Sequence, residues 1–146
     1  MTISTSAFEQ YGNIPKMYTC EGENVNPPLT IRDIPPTTRS LVLIVDDPDA
    51  PGGLFTHWLL WNIPPDVVHI DEDSSPSGAV EGENSTGEMG YMGPCPPSGV
   101  HHYRFMLWAL SDNLALDEDS TREEVEAELE QYVLGRAELV GQYQKQ

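Results

Sequence analysis

Residues 40–46 read "SLVLIVD", an unbroken apolar run rich in β-branched side chains, and the chain then turns polar and rigid in "DDPDAPGG" at 46–53. An alternating pattern would mark a strand with one wet face. A continuous run closed by turn residues marks a central strand buried on both faces. Two further runs have the same character. "HWLLWNI" at 57–63 stops at Pro64-Pro65, and "HYRFMLWALS" covers 102–111. A shorter alternating stretch, "LTIRD" at 29–33, precedes the turn "IPPTT". Thirteen prolines and twelve glycines suit turn-rich β-structure better than a helical bundle. The 146 residues fit one domain, 1–146, with one sizeable core and no internal repeat.

Between the second and third runs lies "DEDSSPSGAVEGENSTGEMGYMGPCPPSG" at 71–99, poor in aliphatics and rich in Gly, Ser, Pro and acid. A loop of this length inside a compact domain is uncommon and is usually functional or mobile, and Ala79 and Val80 supply a short strand within it. A helix is predicted over 121–134. Thr121 with Glu124 fits a capping box, and Val125, Leu129, Tyr132 and Val133 form one apolar stripe. Gly135 is then the natural helix stop, followed by a short final strand around Ala137, Leu139, Gly141 and Tyr143. The sum is a mainly β domain, a sandwich with one peripheral helix.

Strand side chains alternate between faces, so each run groups its residues. Leu41, Leu43, Val45 and Asp47 share one face of the first, His57, Leu59 and Trp61 one face of the second, and His101, Tyr103, Phe105 and Leu107 one face of the third. Each face is polar at one end only. If the first strand runs antiparallel to the other two, Asp47, His57, His101 and Tyr103 meet at one sheet edge. That yields a pocket with apolar walls and a few convergent polar groups, rimmed by the "DPDAPGG" and "GPCPPSG" turns. Histidines and a tyrosine hydroxyl offer donors to an anion, and Asp47 would hold His57 or His101 protonated.

Blander roles cover the remaining polar residues. His102 shares parity with Arg104 and Met106 and is expected to point away. Trp58, Trp61 and Trp108 are expected in the core, and the acids at 71–73, 81–83 and 117–119 on solvated loops. Cys20 and Cys95 are either two thiols or one bridge, and a reducing cytoplasm favours thiols. Cys95 with His101 as base would make a nucleophile, but nothing in the sequence lowers its pKa, which favours an inert thiol. Asp47, Asp49, His57 and His101 have metal-ligand chemistry, yet no recognised metal spacing joins them. No metal, cofactor or catalytic residue is therefore assigned.

The net charge is −17, from 24 acidic and 7 basic side chains. Such a field repels nucleic-acid backbones and anionic lipid surfaces. It suits adaptation to high salt as well as it suits an ordinary acidic protein. The opening "MTISTSAFEQYGN" has no basic segment followed by an apolar one, and no run approaches the ~18 apolar residues of a membrane span. A cytoplasmic protein without stable membrane insertion is expected.

"DPDAP" at 47–51, "HWLLWNIP" at 57–64 and "GPCPPSGVHHYRF" at 93–105 resemble the phosphatidylethanolamine-binding protein family, also known as the Raf kinase inhibitor protein family. "YTCEGENVNPPL" at 18–29 and "AELVGQY" at 137–143 are similar to its prokaryotic branch. The resemblance covers nearly the whole chain. It implies a β-sandwich with a large central antiparallel sheet, a small C-terminal helical element and an anion pocket at one end of the strands. Carried over by position, the pocket residues are Asp47, His57, His101 and Tyr103, with Asp49 and Pro51 in the first loop and Gly93 and Pro94 in the second. The family has no agreed catalytic activity. The resemblance implies a binding or regulatory protein for phosphate or a phosphorylated head group, with a kinase or a protease as protein partner. A serine protease inhibitor acting through the rigid Pro-rich loops is the alternative, and a hydrolase or metal enzyme built on the Asp/His cluster stands last.

Overall fold

The computed structural model describes residues 1–146. Two antiparallel sheets face one another. The smaller has three strands in the order β1 (Thr2–Ser4), β2 (Leu29–Arg32), β5 (His69–Ile70). The larger has five, in the order β6 (Val80–Glu81), β4 (Phe55–Ile63), β3 (Ser40–Asp47), β7 (Val100–Leu110), β8 (Val133–Gln144). One helix, α1 (Arg122–Leu129), lies on the outer face of the larger sheet. No helix is long and apolar enough to cross a membrane.

β3 is the centre, and all eight of its residues are buried. Its two faces feed two cores. Leu41, Leu43 and Val45 join Trp58, Leu60, Phe105 and Leu107 in the inner core, closed by Ile3, Leu29, Ile31 and Ile70 of the smaller sheet. Val42 and Ile44 join Leu59, Trp61, Met106 and Leu110 in the outer core, closed by Leu114, Val125 and Leu129. Each fully buried aliphatic side chain contributes about 1.5–3 kcal/mol, which explains why a run with no polar residue among these positions ends up in the middle of three layers.

The helix is shorter than the apolar stripe predicts. Its capping box forms as expected: Glu124 N donates to Thr121 Oγ1 at 3.2 Å and Thr121 N to Glu124 Oε1 at 3.1 Å. After Leu129 the chain turns, and Val133 is exposed at the start of β8 instead of closing the stripe. Gly135 is a strand residue paired with Ala109, not a helix stop. The eleven-residue edge of β7 provides a full ladder for β8, and that pairing outweighs one more helical turn. Trp108 is also not core. It is half-buried on the outer face with the Arg136 guanidinium 5.5 Å above its ring.

β3 is antiparallel to both β4 and β7, which brings the C-terminal end of β3 beside the N-terminal ends of the other two. The β3–β4 ladder is irregular at that end. Val45 pairs with Trp58 and Asp46 with Thr56, so His57 is an extra residue in β4, a β-bulge. The strict alternation that grouped His57 with Leu59 and Trp61 fails there. Leu59 and Trp61 belong to the outer core, whereas Trp58 belongs to the inner one and His57 lines a cavity on that same side.

Candidate functional site

Asp47, His57, His101 and Tyr103 meet at this end of the sheet and line a cavity of about 190 Å³. Drug-sized ligands occupy pockets of ~300–1,000 Å³, so this one suits a small group. Its walls are Ala50 and Pro51 from the loop after β3, Phe55 from β4, and Met92, Cys95, Pro96 and Pro97 from the loop before β7. A larger hollow of about 480 Å³ lies between Asn13, Lys16, Val100 and Tyr143. Its buried polar group is already satisfied, since Tyr143 Oη donates to Glu21 at 2.6 Å.

Asp47 is 4% exposed and carries two hydrogen bonds. Its Oδ2 accepts from His101 Nδ1 at 2.6 Å, and its Oδ1 accepts from the Asp49 amide at 2.7 Å. The second bond closes the turn after β3. The first places the His101 proton on Nδ1, because an ionised carboxylate only accepts.

His57 is held differently. Its Nδ1 donates to the Met92 carbonyl at 2.6 Å, and the Met92 amide donates back to the His57 carbonyl at 2.9 Å. Burial lowers its pKa, with the Met92 bond and the Asp47 charge opposing only in part. His57 is therefore neutral near pH 7. Of the two histidines expected as the partner of Asp47, it is His101 that bonds the carboxylate, and His57 does not. The His57 ring meets the Tyr103 ring edge-on, with centroids 5.2 Å apart.

Tyr103 is the least satisfied member. Its residue is 1% exposed, and its hydroxyl is buried with no hydrogen-bond partner. The Asp47 carboxylate and the Cys95 backbone are polar neighbours, but neither closes a bond with it. Burial, then the charges of Asp47 and Asp49, push its pKa far above the ordinary tyrosine value, so it remains a neutral donor.

Three of the sequence-derived site residues have other duties. Asp49 does not line the cavity. Its Oδ2 accepts from the His102 amide at 2.9 Å and from His102 Nδ1 at 2.8 Å, pinning the Pro-rich turn to β7. The His102 ring and amide hold the Asp49 carboxyl below the usual carboxylate range. His102 thus points away from the cavity as parity requires, yet it anchors the cavity's rim. Gly93 and Pro94 are buried behind the wall. The Gly93 amide donates to Asn24 Oδ1 at 2.8 Å, and a Cβ there would sit 2.3 Å from the Tyr18 carbonyl oxygen. Only glycine allows so close an approach.

Phe55, at the start of β4, and Met92, in the loop before β7, are wall residues the sequence does not single out, because an apolar side chain carries no chemical signal of a site. For Cys20 and Cys95 the sequence leaves two thiols or one bridge open, with a reducing compartment favouring thiols. The structure has the bridge: Cys95 is joined to Cys20, with Cα atoms 5.5 Å apart, against the lean toward thiols, and no free thiol is left to act as a nucleophile. The two loops are already docked by the Gly93–Asn24 bond and by Cys20 N donating to Pro94 O at 3.1 Å, so the sulfurs are brought together by the fold.

On the opposite face of β3, Asp46 is fully buried. Arg104 grips it with Nε at 2.7 Å and a terminal nitrogen at 2.8 Å, and Arg122 forms an ion pair with it at 2.8 Å. Arg122 opens α1 and also reaches Thr56 Oγ1 of β4 at 3.1 Å. This cluster ties helix and sheet together directly behind the site.

Comparison with known proteins agrees with this architecture. The family model described as phosphatidylethanolamine-binding protein matches residues 4–144. A UPF0098 protein of Methanothermobacter thermautotrophicus is 47% identical over 150 residues, covering 99% of both chains. One of Pyrococcus abyssi is 49% identical, covering 99% of this chain and 86% of its own. Among solved structures, a phosphatidylethanolamine-binding protein homologue from Chlamydia trachomatis superposes with a TM-score of 0.95 at 39% identity, covering 99% of this chain and 97% of its own. YbcL of Escherichia coli, described as a member of the mammalian family of that name, superposes with a TM-score of 0.92 at 32% identity, covering 99% and 98%.

Proposed function

The chain belongs to the phosphatidylethanolamine-binding protein family, and from that premise we propose that it is a non-catalytic binding protein whose Asp47–His57–His101–Tyr103 pocket takes a phosphate-like anion. The ligand is phosphate itself or a phosphorylated head group, and the occupied state acts on a protein partner such as a kinase. The Tyr103 hydroxyl carries this reading. A buried donor without a partner costs about 1–3 kcal/mol, and a ligand oxygen in the cavity would satisfy it.

The histidines set the pH dependence. With both Nδ1 atoms engaged inside the protein, each Nε2 is the atom left for a ligand. A neutral Nε2 only accepts. It therefore holds an oxyanion by taking up a proton, or by accepting one from a protonated phosphate. Either route makes binding proton-linked and tighter toward pH 6. Calorimetry with phosphate and phosphoethanolamine at pH 6 and 8 tests this. The expected result is saturable binding, stronger at pH 6, lost in His101→Ala. No heat for either ligand at either pH would overturn it.

The Pro-rich loops support a second reading, a protease inhibitor acting through its surface, since preorganised loops bind at less entropic cost. That reading requires inhibition to survive His101→Ala, whereas pocket control requires it to fail.

A further inference from the structure

The walls of the cavity are not fastened alike. The turn after β3 is tied by the Asp49 amide to Asp47 and by the Asp49 carboxylate to His102. Phe55 and His57 belong to β4. In the third wall, Met92 is bonded to His57 in both directions, Gly93 to Asn24, and Pro94 O to Cys20 N. From Cys95 to Gly99 the hydrogen bonds stop. Pro96 and Pro97 have no N–H to give, and Ser98 and Gly99 make no bond before Val100 rejoins β7 opposite Gln144. Three residues of this unbonded stretch, Cys95, Pro96 and Pro97, line the cavity. Its one covalent tie between Pro94 and Val100 is the Cys20–Cys95 bridge, and beside it only Pro96 is packed into a buried position. Cys95 is an exposed residue and Cys20 half-buried, so the bridge is open to thiols in solution.

We propose that the Cys20–Cys95 bridge is a redox latch on the pocket: oxidised, it holds the Cys95–Pro97 wall in place; reduced, it frees residues 95–99 and weakens the grip on a phosphate-like anion. The proposal rests on the pocket being an anion site. The reductant is a dithiol. One of its thiolates attacks Cys95 Sγ, the S–S bond breaks, and Cys20 leaves as a thiolate and is protonated. The second thiol then displaces Cys95 from the mixed disulfide. Two electrons pass to the protein, which ends with two thiols, and the dithiol ends as a disulfide. The remaining bonds at Met92, Gly93 and Pro94 do not depend on the sulfurs, so the change is local to the wall.

If the freed wall spends about one-tenth of its time in the binding arrangement, affinity falls about tenfold. Linkage makes the effect reciprocal. Saturating phosphate then lowers the reduction potential of the bridge by about 30 mV, the two-electron equivalent of tenfold.

The test measures phosphate and phosphoethanolamine affinity by calorimetry on the oxidised protein, on the same protein reduced with a dithiol, and after reoxidation. Far-UV circular dichroism checks the fold at each stage. A Cys20→Ser/Cys95→Ser double variant, and reduced protein whose thiols are rejoined by a one-carbon alkylating linker, complete the set. The latch predicts about tenfold weaker binding when reduced or in the double variant. It also predicts full recovery on reoxidation, and tight, reductant-insensitive binding in the relinked protein. Equal affinity in oxidised and reduced protein overturns the latch and leaves the anion pocket standing. Unfolding on reduction also overturns it, since the bridge would then hold the fold and not the wall. No binding by the oxidised protein overturns the anion reading, and the latch with it.

Discussion

Asp46 and Asp47 are neighbours in the chain and opposites in the structure. Both are buried at the end of β3. Asp46 faces outward and is saturated by two arginines from β7 and α1. Asp47 faces inward, bonds one histidine and one turn amide, and shares its cavity with a hydroxyl that has no partner at all. A carboxylate whose hydrogen-bonding capacity is met within the chain serves the fold. One set among unmet groups is placed for something that comes from outside. Burial alone does not distinguish the two; the state of the partners does.

Asp46→Ala should have the largest effect. Removing one partner of a buried charge cluster costs about 3–5 kcal/mol, which in a chain of this size lowers Tm by roughly 10–15 °C. Anion affinity of the folded fraction should be unchanged. A calorimetric scan paired with a binding titration reads both, and a variant that keeps its Tm would erase the contrast. His101→Ala should reverse the pattern. Asp47 loses the donor on its Oδ2 at a cost of about 1–3 kcal/mol, while phosphate affinity drops at least tenfold.

Tyr103→Phe sharpens the comparison most, because it removes an unsatisfied group. Stability should hold within about 0.5 kcal/mol or rise, and affinity should still fall about tenfold, as expected for losing one hydrogen bond to a charged ligand. A clear loss of stability in urea would show that the hydroxyl already has a partner in the fold.

The smallest effect is a pH dependence. The folded-state pKa of His57 lies below its ordinary 6.5 because of burial. The unfolded chain therefore binds more protons in that window, and stability falls as pH drops below about 6.5. Urea midpoints between pH 5 and 8 should show this slope in the apo protein, and His57→Asn should flatten it. Saturating phosphate should weaken the slope, since an anion favours the protonated ring.

Much of this was readable in advance, for reasons that differ by region. The β3 run had no polar residue between Ser40 and Asp46, so no face could be left wet. The antiparallel arrangement then brought Asp47, His101 and Tyr103 together as alternation required. His57 reached the site for a reason alternation does not contain, an added residue that moves it across the strand. β1 and β5 have three and two residues, too few to show a period. The bridge needed two loops 75 residues apart to dock, which depends on Gly93 fitting against the Tyr18 carbonyl. The roles of Asp49 and His102 were hidden because both lie on the rim, where chemistry that suits a ligand equally suits a neighbouring loop.

The bulge at His57 has a consequence for how insertions and deletions act on this chain. On either side of it, Thr56 and Trp58 pair with consecutive residues of β3. Deleting His57 would leave the ladder regular at this end, with the pairing of Trp58 and Leu60 to β3 unchanged, and the cavity would lack one ring. Chain length at this position, counted in single residues, therefore separates a folded protein with a site from a folded protein without one.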